Sequence, residues 1–220
     1  MGSTFTQSKH NGAYTFIRRG IITHTFAPEK SISVADIVRE AMIDAASVQQ
    51  SLVSLASENW VTLTPEGDFY ICAVTLREVE EIMDMRRVLE PLVIEHAMAR
   101  LSEKQFAYLE ALLAEYERLG AARGMEEQLL ETDKSFHLYL TELANNSRLT
   151  AFMRTALDMF LRLGVNYAQK QLCTDYCLYE YTTIIEALRK ADCPAAKDAV
   201  QRHLDRARGA IVAYVRENCA

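Results

Sequence analysis

Leu129-Leu130-Glu131-Thr132-Asp133-Lys134-Ser135-Phe136-His137-Leu138-Tyr139-Leu140 decides how this chain is read. On a helix, this stretch and its continuation place Leu129, Leu130, Asp133, Phe136, His137, Leu140 and Ala144 along one inward line. Asp133 and His137 interrupt an otherwise apolar face, and their four-residue spacing puts them side by side. Further on, His203 interrupts the line Ala196, Val200, Leu204, Ala207, Ile211. Burying an aspartate and two histidines without partners is costly. They are therefore partners of each other, of a metal, or of a ligand.

The same test on two more helical stretches finds further polar groups facing inward. Arg86 falls on the line Val79, Ile82, Met83, Leu89, Val93, and Tyr181 on the line Cys177, Leu178, Ile184, Ile185, Leu188. Helix bundles build metal sites from facing side chains in this way. Imidazoles with a carboxylate suit a divalent ion such as zinc and leave positions for water or substrate. Arg86 offers a fork for a carboxylate. A buried hydrogen-bonded network without metal would satisfy the same residues equally well.

These lines belong to a run of long amphipathic helices, read at about 76–100, 103–122, 125–145, 147–170, 174–190 and 194–216. Ser102, Gly120 with Gly124, Asn145-Asn146-Ser147 and Asp192-Cys193-Pro194 punctuate them. With no strand pattern, residues 75–216 are expected to form an antiparallel all-α bundle. The N-terminal part differs. Residues 1–12 are expected to be a flexible tail. In 13–73, three short helices (Ala13–Gly20, Ser33–Ala41, Ala45–Glu58) precede a hairpin of Trp60–Thr64 and Phe69–Ile71 around Pro65-Glu66-Gly67-Asp68. Ser33 and Asp44 are the expected caps. This order describes a winged helix-turn-helix.

Composition narrows the function. The net charge of −6 disfavours broad, nonspecific nucleic-acid binding. Five scattered cysteines (Cys72, Cys173, Cys177, Cys193, Cys219) form no CxxC pair, as expected of reduced thiols in the cytoplasm; Cys173 and Cys177 share a helix face. No long apolar run points to a membrane. No nucleophile–base pair or second carboxylate accompanies Asp133 and His137, so catalysis is not expected.

The chain resembles the GntR family of bacterial transcription regulators, in its FadR-like subfamily with a C-terminal FCD effector domain. "IMDMRRVLEPLVIEHA" looks like the family's first long effector-domain helix, with Arg86 on its ligand-contacting arginine. "DKSFHLYLTELANNSRL" looks like the D-x-x-F-H…N-x-x-L segment, with Asp133 and His137 on the first two metal-ligand positions and Asn146 beside the effector. "AVQRHLDRA" places His203 on the last ligand position. The chain departs at the third, where Tyr181 replaces histidine. Three arrangements stay open: a three-residue site completed by water or effector, a weak Tyr181 ligand, or a metal-free pocket.

The DNA-reading half departs further. The family pattern G-V-S-R-x-P-V-R aligns with Met42-Ile43-Asp44-Ala45-Ala46-Ser47-Val48-Gln49, so two DNA-touching arginines become Ala45 and Gln49. Gly67 keeps the wing glycine between Glu66 and Asp68. Residues 1–72 carry five positive and seven negative charges, a net of −2, which is unusual for a domain that neutralises phosphates. Gln49 and Gln50 can read adenine, Ser47 can reach a phosphate, and Arg18 and Arg19 add charge.

The resemblance implies a dimeric, cytoplasmic, DNA-binding transcription regulator. Its operator affinity would answer to a small carboxylate effector held by Arg86, Tyr181 and Asn146, with a divalent metal on Asp133, His137 and His203. The alternative is a regulator that has lost sequence-specific DNA binding and acts as a sensor or through protein partners.

Overall fold

Ala13, Ile17 and Ile21 recur at helical spacing, are buried, and hold the first helix, α1 (Gly2–Ile22), in place. The computed structural model describes the backbone of residues 2–122, 124–171 and 174–218, and the side chains of 12–122, 124–163 and 176–217. The chain divides into two compact units, Met1–Val74 and Thr75–Ala220. The stretch expected as a tail is helical from Gly2. It contains no proline, and extending a helix that is already anchored is far easier than nucleating one. Near its end, Gly20 leaves room for Phe26, whose ring lies 2.4 Å from where a Cβ would stand.

In the first unit, β1 (Ser31–Ile32) leads into α2 (Val34–Ala41) and α3 (Ala45–Ser57). The Ser33 hydroxyl accepts the Asp36 N–H at 3.3 Å, and the Asp44 carboxylate accepts the Ser47 N–H at 2.9 Å. Both capping residues are therefore where the sequence puts them. Between the helices Met42 is left-handed (φ 54°) and 91% exposed. The hairpin is β2 (Val61–Leu63) and β3 (Phe69–Ile71), paired antiparallel with Val61 opposite Ile71 and Leu63 opposite Phe69. Gly67 turns it at φ 96°. β1 pairs with the far edge of β3, giving the order β1-β3-β2. Two residues are too few to show an alternating pattern, so β1 was not legible in the sequence. Ile37, Val48, Leu52, Leu55, Trp60 and Phe69 are buried in this unit's core.

The described residues of the second unit form six helices: α4 (Leu76–Met98), α5 (Glu103–Gly120), α6 (Glu126–Leu143), α7 (Ser147–Gln171), α8 (Thr174–Arg189) and α9 (Cys193–Asn218). Among its described residues there is no strand. Thr75 caps α4, Ser102 and Gln105 form a capping box on α5, and Asp192 accepts the Ala195 N–H at 3.0 Å. α4 packs on α6, α7 and α9, while α8 packs on α5 and α9. Leu109, Phe136, Leu140, Ile184 and Val200 belong to one buried cluster. No helix among the described residues is long and apolar enough to cross a membrane.

Candidate functional site

All five inward polar residues are buried: Arg86 on α4, Asp133 and His137 on α6, Tyr181 on α8 and His203 on α9. One ligand atom from each of Asp133, His137 and His203 lies within 4.8 Å of the others. The imidazoles of His137 and His203 stack, centroids 5.2 Å apart at 28°.

Each imidazole is oriented by a carboxylate. His137 Nδ1 lies 2.6 Å from Glu90 Oε2, and His203 Nδ1 lies 2.8 Å from Glu180 Oε2. Each carboxylate is held in turn by an arginine: Arg86 Nε donates to Glu90 at 2.7 Å, and Arg206 donates twice to Glu180 at 2.6 Å. Burial alone would raise the Glu90 carboxyl, but Arg86 and His137 outweigh it and hold it at about 2. Burial also opposes ionisation of Glu180, and His203 with Arg206 brings it below its ordinary value. An ionised carboxylate only accepts, so each Nδ1 carries a proton and Nε2 is the nitrogen turned away from the carboxylate, the one available to a metal. Burial pushes the His203 pKa down, which favours the neutral, ligating form. A carboxylate behind each histidine is the usual outer shell of a metal-binding imidazole.

Several atoms inside the bundle have no hydrogen-bond partner among the described residues. His137 Nε2, Asp133 Oδ2 and both Arg86 Nη atoms are buried in this way. Two acceptors, one of them carboxylate and one imidazole, fit a divalent cation; the two Nη donors fit an anion. The Arg86 guanidinium also lies 4.3 Å over the Phe160 ring.

The Tyr181 hydroxyl donates to Asp133 Oδ1, leaving Oδ2 as the carboxylate's unpartnered oxygen. Burial, then the Asp133 charge, pushes the Tyr181 phenol well above its usual range. Tyr116 packs edge-on against Tyr181, 5.6 Å between centroids. Tyr181 thus stands as a neutral donor to a candidate ligand.

Asn146 is not at this site. It is exposed, and its side chain accepts the Leu149 N–H at 3.1 Å at the start of α7. An asparagine just before a helix is drawn to this capping role. A cavity of about 500 Å³ also lies elsewhere, at α8 and α9; it shares Glu180 and Arg206 with the site and is otherwise lined by residues such as Tyr176, Tyr179 and Arg202.

In the first unit, Gln49 and Gln50 are exposed on α3, and Gly67 is at the hairpin tip. Ser47 is buried and donates its hydroxyl to Asp44 at 3.1 Å, so it does not face outward as expected; the cap turns it in. Arg18 is half-buried with its guanidinium 5.1 Å from the Trp60 ring, whereas Arg19 is exposed. Cys177 is buried and takes an Arg206 N–H at 3.0 Å. Cys173 and Cys219, and the shared face expected for Cys173, lie outside the described residues.

The sequence reading missed Glu90, Glu180 and Arg206. A signal existed: Glu90 is one turn after Arg86, and Arg206 one turn after His203, each on the inward side of its helix.

The FCD domain family matches residues 81–206, more than half of the chain. The HTH-type transcriptional regulator YdhC of Bacillus subtilis is 23% identical over 194 residues, covering 87% of this chain and 86% of that protein. The HTH-type transcriptional repressor RspR of Escherichia coli is 22% identical over 202 residues, covering 90% and 87%. Among solved structures, E. coli McbR/YncC superposes with a TM-score of 0.82 at 17% identity, covering 96% of this chain and 99% of that one. On the family match, and with the winged helix-turn-helix ahead of the bundle, the chain belongs to the GntR family of transcription regulators, with an FCD domain as its C-terminal half.

Proposed function

We propose that the protein is a dimeric, DNA-binding transcription regulator whose operator affinity is set by a small carboxylate in the helical unit, assisted by a divalent metal. The observation that carries this reading is the set of buried atoms without a hydrogen-bond partner among the described residues: two Nη donors of Arg86 in a bundle that also buries Asp133 Oδ2 and His137 Nε2 in this way. Asp133, His137 and His203 would hold the ion, and the ion would supply positive charge to a bound carboxylate. Arg86 would fork the carboxylate. Tyr181 would steady Asp133 from outside the ligand set. Three protein ligands leave coordination positions for the effector itself.

Dimerisation would match two winged helices to a palindromic operator. The effector acts only if it binds the DNA-competent and DNA-incompetent arrangements unequally. The test is fluorescence anisotropy on duplexes from the region flanking the protein's own gene, with zinc and citrate as probes. The expected result is saturable binding to one sequence, with affinity shifted about 5- to 150-fold by the probes. Binding of zinc and citrate in a calorimeter with no shift in DNA affinity would contradict effector control.

A second reading, a regulator-derived sensor without sequence-specific DNA binding, is favoured by the lack of any charged residue in α3 and by Glu66 and Asp68 beside the wing glycine. It predicts that no duplex is selected even at low salt.

A further inference from the structure

The exposed residues of α3 are Ala45, Ala46, Gln49, Gln50, Val53 and the terminal Ser57, which recur as a single helix face, while Val48, Ser51, Leu52 and Leu55 are buried on the other. Val53 is 51% exposed. No arginine, lysine or acid lies between Ala45 and Ser57. The start of this helix, a position that elsewhere attracts a phosphate, is already closed by the Asp44 carboxylate, which takes both the N–H and the hydroxyl of Ser47. At the hairpin tip, Glu66 and Asp68 flank Gly67. What this unit turns outward on α3 is therefore two primary amides, three methyl-bearing side chains and, at the C-terminal end, Ser57, whose hydroxyl is turned back onto the Ser54 carbonyl.

In a major groove these groups have defined partners. Glutamine pairs in two-point fashion with adenine N6 and N7, and alkyl groups pack on the thymine 5-methyl; the best partners of guanine, arginine and lysine, are missing from this face. We propose that α3 reads an A·T-rich half-site, with Gln49 and Gln50 on adenines and Ala45, Ala46 and Val53 on thymine methyls. This rests on the DNA-binding reading above and names the bases recognised. Affinity then comes from base contacts more than from phosphates. The slope of log K against log salt should be shallow, about −4 rather than the about −10 of a phosphate-dominated binder.

The experiment is selection of duplexes from a random pool with the full chain at low salt, followed by binding to chemically altered winners. Selected half-sites should be rich in A·T. Replacing a contacted thymine by uracil should weaken binding about fourfold, the worth of one buried methyl. Replacing a contacted adenine by 7-deazaadenine should weaken it about 5- to 100-fold. Gln49→Ala and Gln50→Ala should each relax preference at one position, with the helical content of the protein unchanged. Half-sites with conserved G·C pairs whose preference relaxes in the glutamine variants, or winners insensitive to both base changes, would overturn the proposal while leaving DNA binding intact. A pool with no enriched sequence would overturn the DNA-binding reading itself, and this proposal with it.

Discussion

Glu90→Gln removes one negative charge from the middle of the bundle while keeping the shape of the side chain. Glu90 is 3% exposed and lies between Arg86 Nε at 2.7 Å and His137 Nδ1 at 2.6 Å. Despite burial, Arg86 and His137 hold its carboxyl at about 2, against an ordinary value of 4.5. A depression of that size is worth about 3 kcal/mol to the folded state at neutral pH. Breaking a buried ion pair by removing one member costs about 3–5 kcal/mol, in agreement. Glu90→Gln in metal-free buffer should therefore lose about 3 kcal/mol at pH 7, or about 10 °C in the melting midpoint of a unit this size. The sign of the pH effect follows from a lowered acid: its stabilisation is complete above the unfolded value of 4.5 and is lost as pH falls toward 2. The gap between native protein and variant should thus narrow on acidification through that window. Urea unfolding followed by circular dichroism, repeated down the pH series, measures both. A gap under about 1 kcal/mol at pH 7, or one that stays constant on acidification, would refute the electrostatic account of this pair. Arg86→Met combined with Glu90→Gln leaves no unpaired buried charge of the pair and should recover most of the stability. Zinc affinity, by contrast, should stay reduced by about 10- to 100-fold, because His137 has lost its orienting carboxylate.

Other perturbations have equally definite outcomes. Met42→Gly should stabilise the protein by about 0.5–1 kcal/mol, since it relieves a left-handed residue whose side chain is almost wholly exposed; thermal unfolding reads it. Tyr181→His places an imidazole beside Asp133 and should tighten zinc binding by about tenfold or more in competition with a chromophoric chelator. Unchanged affinity there would show that position 181 does not face the ion. Asn146→Ala should cost about 1 kcal/mol of stability through loss of the α7 cap and leave zinc and citrate binding unaltered.

The inward lines were legible because helical periodicity is a strong signal, and a polar residue on an apolar line stands out against it. Asp133, His137, His203, Arg86 and Tyr181 all emerged that way, and all are buried. Glu90 did not, because a glutamate one turn from an arginine on a helix reads as a solvated surface pair; only its burial and the tertiary approach of His137 show otherwise. Glu180 has no basic neighbour on its own helix, and only tertiary packing brings His203 and Arg206 to it. Ser33 and Asp44 were legible as caps from local chemistry alone. The same preference misled at Asn146, where a motif position was read as ligand-binding and the side chain caps a helix. Ser47 failed for a related reason, since its hydroxyl is drawn inward by the cap it serves. The start of α1 was missed because polar composition suggests a tail but does not forbid a helix extended from a packed one.

A metal-assisted effector pocket depends most directly on the three buried side chains Asp133, His137 and His203. Calorimetric titration of the metal-free protein with zinc sulfate, beside His137→Ala and His203→Ala, is the decisive measurement. One zinc per chain, with affinity at least about 100-fold weaker in each variant, is the expected result. No binding by the native protein, or binding that both variants retain at full strength, would contradict a metal held by Asp133, His137 and His203.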